Sequence, residues 1–72
     1  MNTSTFNRLM EYFEYPQTDR KWQSLNLVLV HGMSQAGASK ATGLSSPQLS
    51  LVLRRVRREV AKIEKLTGVP LQ

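Results

Sequence analysis

Residues 35–58 read QAGASKATGLSSPQLSLVLRRVRR. Small side chains fill positions 36 to 39, Gly43 interrupts, and Ser45-Ser46-Pro47 begins a new segment. Glycine has no β-carbon, so it closes a helix in the left-handed conformation without a steric penalty. A serine cap followed by proline at the first helical position is a start signal, because the amide that proline lacks would have no helical partner there. The stretch predicts a short helix from about Ser34 to Thr42, a forced turn, and a longer helix starting at Ser45-Ser46-Pro47.

Two helices joined this way meet the demands of a helix-turn-helix. Helices crossing near their midpoints need a small residue, and Ser39, beside Ala38, supplies it. The turn needs a residue that tolerates positive φ, which is Gly43. An apolar residue after the turn must enter the core, and Leu44 stands there. Two more must face inward from the second helix, and Leu49 and Val52 do. Alanine is more usual than serine at position 39. The motif spans about residues 34–58.

Working outward, Phe6, Leu9, Met10 and Phe13 recur at the spacing of one helical face and predict a first helix roughly from Ser4 to Glu14. Thr3 or Ser4 is its expected cap, and Pro16 its expected stop, since proline disfavours helix at the residue before it. A second helix follows Thr18 or Asp19 and ends at Gly32. Trp22, Leu25, Leu29 and Met33 form one stripe on it, with Leu27 and Val30 on the other side. A helix apolar nearly all round belongs at the centre of a fold. In the last helix Leu49, Val52, Leu53, Val56, Val60 and Ile63 share a face, and Gly68 and Pro70 end it. The expected architecture is all-α, a single small four-helix domain over residues 1–72 with an extended final helix.

Composition narrows the functions. A chain of 72 residues makes one domain, and a core of that size commonly supplies only ~3–5 kcal/mol. Cysteine is absent and His31 is the lone histidine, so no disulfide is possible and no metal or other cofactor is expected. A second copy of the chain is the expected further source of stability. Its surface is either the first helix with Tyr12 and Tyr15, or the C-terminal end around Ile63, Leu66 and Val69. No apolar run reaches the ~20 residues of a membrane span, and MNTSTFNR lacks the order of a secretory signal. A cytoplasmic protein without membrane contact is the expectation. No nucleophile has a candidate base, and His31 beside Gly32 reads as a helix-terminal residue, so an enzyme is not expected. The small size leaves no room for an effector pocket, and no small-molecule effector is expected.

Charge is uneven along the chain. Met1 to Asp19 carries a net −2, whereas Arg54 to Gln72 carries +4. A basic block confined to one helix suggests a surface that meets a polyanion. With the inward face centred on Leu49, Val52, Leu53 and Val56, a rotation of 100° per residue puts Pro47, Leu51, Arg54, Arg58 and Lys65 opposite. Lys62 and Arg55 flank that face on one side and Ser50 on the other. If the helix enters a major groove by its N-terminal end, Ser45, Ser46, Gln48, Ser50 and Leu51 meet base edges. Glutamine pairs with adenine, serine accepts several edges, and leucine suits a thymine methyl. Arg54, one turn on, reaches guanine or a phosphate. Arg55, Arg57 and Arg58 are expected on phosphates as the helix leaves the groove, joined by Gln35 and Lys40 from the preceding helix.

The segment SQAGASKATGLSSPQLSLVLRRVRR also resembles the DNA-binding segment of the TrfB/KorA-type plasmid transcriptional repressors. The matching residues are Gln35-Ala36, Gly43-Leu44, Leu49-Ser50 and Arg55-Val56, and the likeness covers roughly residues 27 to 57. The resemblance implies a small homodimer that binds a palindromic double-stranded DNA operator and represses plasmid promoters. The dimer-forming C-terminal region of that family lies beyond the matched part, so its dimer surface does not carry over. A looser likeness, to the PapB-type fimbrial regulators, rests on helical layout alone. The alternative expectation is a small interaction module, an adaptor or antagonist whose basic helix docks on an acidic partner. RNA is a poorer fit, because the aromatic residues that would stack on bases all precede the basic helix.

Overall fold

A computed structural model describes residues 1–71; Gln72, the last residue of the expected domain, lies outside the described residues. Four helices follow in order: α1 (Thr3–Phe13), α2 (Arg20–Leu29), α3 (Gln35–Thr42) and α4 (Ser46–Thr67). No strand occurs among the described residues. The all-α four-helix reading holds, and α3 with α4 forms the helix-turn-helix.

Helix boundaries shift from expectation in ways the caps explain. Asn2, not Thr3 or Ser4, caps α1, its side chain accepting the Thr5 amide at 2.8 Å. Asparagine is among the strongest N-caps, so the helix begins one residue early. Pro16 is not what stops α1. The chain has already turned at Glu14, a non-glycine residue with φ 60°, whose amide bonds back to Glu11 at 3.0 Å. Packing holds that turn, with Phe13 and Tyr15 stacked across it at 5.8 Å. A left-handed side-chain-bearing residue costs about 1–2 kcal/mol, against roughly 0.5–1 for the freedom of a glycine. Glu14→Gly is therefore expected to stabilise the protein by about 0.5–1 kcal/mol, read as a higher urea midpoint at unchanged slope.

Helix α2 takes Asp19 as its cap and ends at Leu29, short of the expected Gly32. Gly32 instead makes a left-handed turn just beyond, and the Met33 amide returns to the Leu27 carbonyl at 2.9 Å. Met33, expected on the α2 stripe, is thus past the helix and exposed. Leu25 is fully buried, and Trp22, half-buried, meets Phe6 edge-on at 5.2 Å. Ser45 rather than Ser46 caps α4, which moves Pro47 to the second helical position. Gly68 closes α4 in the left-handed conformation.

The core joins Phe6, Leu9 and Met10 of α1, Leu25 of α2, Ala38 of α3 and Leu44 of the turn to five residues of α4: Leu49, Val52, Leu53, Val56 and Val60. Helix α2 packs against each of the other three, the central place its apolar surround predicts. Among the described residues one polar residue is fully buried, Ser24, and its hydroxyl meets that of Thr42 at 2.6 Å. No helix among the described residues is long and apolar enough to cross a membrane.

Candidate nucleic-acid interface

The turn between α3 and α4 decides where α4 points, and side-chain bonds fasten it at several places. Gly43 adopts φ 79°, and its amide bonds to the Ser39 carbonyl at 2.9 Å. Thr42 donates its hydroxyl to the Ala38 carbonyl at 2.9 Å and accepts the Leu44 amide at 3.3 Å. Ser39 donates to the Leu44 carbonyl, and Ser46 reaches Ser39 at 3.4 Å. The close helix crossing was expected at Ser39. The fully buried small residue is Ala38, and Ser39 sits half-buried beside it. A serine suits position 39 because its hydroxyl ties the end of α3 to the turn, which alanine could not do. Leu44, below the turn, is buried as expected.

The start of α4 is a capping arrangement that the S-x-x-Q spacing signals. Ser45 accepts the Gln48 amide at 3.4 Å and donates its hydroxyl to Gln48 Oε1 at 3.0 Å. Ser45 was expected at a base edge, but its hydroxyl is used within the chain, where it orients Gln48. Ser46 is exposed, with its hydroxyl directed to Ser39, and Ser50 is half-buried at the flank. Gln48, Leu51 and Arg54 lie exposed on successive turns, Leu51 at 53%.

Arg54, Arg55, Arg57 and Arg58 are all exposed, and no other helix covers them. The ion pair found among the described residues is Lys62 with Glu59 at 3.6 Å, one turn beyond the block. None of the four arginines forms an ion pair among these residues, the adjacent Glu59 being paired with Lys62. Arg57 follows a different line from Arg58, turned 100° toward Ser50, so the block wraps around the outer half of the helix. On α3, Gln35 is exposed at the first helical position, next to the Ser34 cap, which holds the Gly37 amide at 3.1 Å. Lys40 is exposed in the last turn of α3, where the helix dipole already favours a cation.

Three residues of this region went unforeseen. Thr42 and Ser24 form a partly buried hydroxyl pair behind the turn, and no buried side-chain polar atom is left without a partner among the described residues. A threonine just before the stop glycine was the only signal for it. Arg20, at the start of α2, lies beside the turn; a β-carbon on Gly43 would meet its guanidinium carbon at 3.8 Å. That proximity joins segments far apart in sequence and leaves no local pattern.

The fold and this surface together define a class: a small helical protein with a fastened helix-turn-helix and an unpaired cationic helix face. No protein-family model, curated protein or solved structure matches the chain.

Proposed function

We propose that this protein binds duplex DNA at specific sequences as a homodimer on a palindromic operator and regulates transcription. Repression, of the plasmid type that the TrfB/KorA resemblance suggests, is the role proposed. The observation that carries the reading is the exposed, unpaired arginine block on the same helix that leaves the helix-turn-helix turn with Gln48, Leu51 and Arg54 outward. A major groove about 12 Å wide admits such a helix, and phosphates on its walls supply the missing counter-charges.

In this reading Gln48, Leu51 and Arg54 contact bases, with Ser46 and Ser50 at the edges and Ser45 aiming Gln48. Gln35, Lys40, Arg55, Arg57 and Arg58 contact phosphates and set register. Gln48→Ala should then lose roughly 1–3 kcal/mol at one base position, with non-specific binding almost unchanged. Arg58→Ala should weaken all duplexes about equally and flatten the salt slope by about one per protomer, about two for the dimer. Selection of bound sequences from random duplexes at about 150 mM salt, followed by titration of both variants, makes the test. Identical behaviour of the two variants refutes the division of roles, and a pool that never enriches refutes the reading.

A further inference from the structure

The two surfaces that the sequence offers for self-association are one surface in three dimensions. The Tyr12 hydroxyl of α1 donates to Glu59 of α4 at 3.3 Å. Beside that bond runs a groove of about 240 Å³ lined by Thr5, Arg8, Leu9, Tyr12, Ile63 and Leu71. The Leu71 amide bonds to Glu64 at 2.8 Å, which folds the last residues back along the same face. Tyr12 on its rim is 61% exposed. So are two large apolar residues close in the chain to the lining Ile63 and Leu71: Leu66, one turn after Ile63, at 86%, and Val69, two residues before Leu71, at 59%.

We propose that a second copy of this chain docks here, face to face, across the groove between α1 and the C-terminal half of α4. The inference rests on the homodimer in the proposed function and assigns its interface. Charge singles out this face. Residues 54 to 58 carry +4 with no acid, and two copies meeting there would repel. From Glu59 onward the chain is balanced, Glu59 and Glu64 against Lys62 and Lys65. Arg8 and Glu59 flank the groove with opposite signs, and an isologous contact, in which residue i meets j and j meets i, can bring unlike signs together. A standard interface removes about 800 Å² per partner, about one sixth of this chain's 4769 Å². An exposed tyrosine rimmed by aliphatic residues suits the centre of such a contact.

Reach along α4 agrees. Ser50 precedes Leu66 by sixteen residues, about 24 Å of helix. With Leu66 near the two-fold axis, the two groove-entering segments stand at most about 48 Å apart, and a tilt of the helices brings them to the ~34 Å of one DNA turn. Two turns, about 68 Å, are out of reach. Half-sites are therefore expected one turn apart.

The test is sedimentation equilibrium of the full chain, free and on a selected palindrome, for wild type, Leu66→Glu and Val69→Glu. Gln17→Glu, an equal charge on the exposed α1–α2 connection, serves as control. The expected result is a wild-type and control dimer whose dissociation constant rises at least tenfold in both test variants. Circular dichroism should show unchanged helix content, since both side chains are exposed. Dimers that persist in both variants overturn this surface and leave the homodimer intact, as do selected half-sites two turns apart. A wild type that is monomeric both free and on DNA overturns the homodimer itself, and leaves the face to a partner of another kind.

Discussion

Leu49→Ala is expected to leave much of the protein unfolded at 25 °C. Leu49 is fully buried one turn into α4, in the same core cluster as Leu44, Ala38 and Leu53. Truncating a buried leucine costs about 2–5 kcal/mol, through lost transfer energy and the cavity left behind. A core of this size commonly holds about 3–5 kcal/mol in total. The loss is thus comparable to everything the monomer has, and the urea midpoint should fall toward zero. Leu51→Ala, two residues away but more than half exposed, should change stability by less than about 0.5 kcal/mol. Comparable losses in the two variants would mean that α4 is rotated from the orientation described, and the arginine face with it.

DNA affinity is expected to fall steeply with salt, by about four orders of magnitude between 50 and 200 mM. Each phosphate neutralised on duplex DNA contributes about −0.9 to the slope of log binding constant against log salt. Lys40, Arg55, Arg57 and Arg58, taken twice in a dimer, give roughly −7. Among the described residues no arginine of the block is held in an ion pair by the chain's own carboxylates, Glu59 being paired with Lys62. Fluorescence titrations of one labelled palindrome at several salt concentrations measure the slope directly. A slope shallower than about −2 would assign the arginine block to something other than a phosphate backbone. A slope near −7 on every sequence, with no preference for the selected site, would leave the phosphate contacts standing and remove Gln48 and Leu51 as readers.

Periodicity made the helices and most of the core legible. Phe6, Leu9 and Met10 of α1 and Leu49, Val52, Leu53, Val56 and Val60 of α4 are buried as their spacing predicts, whereas Phe13 and Ile63, expected on the same stripes, are half-buried. Boundaries were less legible, because caps compete locally. Asn2 outranks Thr3, Ser45 is preferred to Ser46, and Glu14 turns left-handed under the packing of Phe13 and Tyr15. On the candidate interface, the outward position of Gln48, Leu51 and the arginines followed from rotation along a helix. The engagement of Ser45 with Gln48 was present in the S-x-x-Q spacing but also needed the position of the cap. The exchange between Ala38 and Ser39 turned on about 100° of helix rotation, which only the packing of α2 against α3 settles.

The sequence by itself determined the four helices, the glycine-closed turn and the segregation of arginine from aliphatic side chains on α4. These depend on backbone sterics, capping and a rotation of 100° per residue, all of which act within a few positions of the chain. Only the tertiary structure decided that Tyr12 and Ile63 share a groove, that Ser24 and Thr42 meet behind the turn, and that Arg20 stands beside Gly43. Contacts between residues so far apart in the chain depend on how helices cross, and crossing is set by the joint packing of side chains from all four helices.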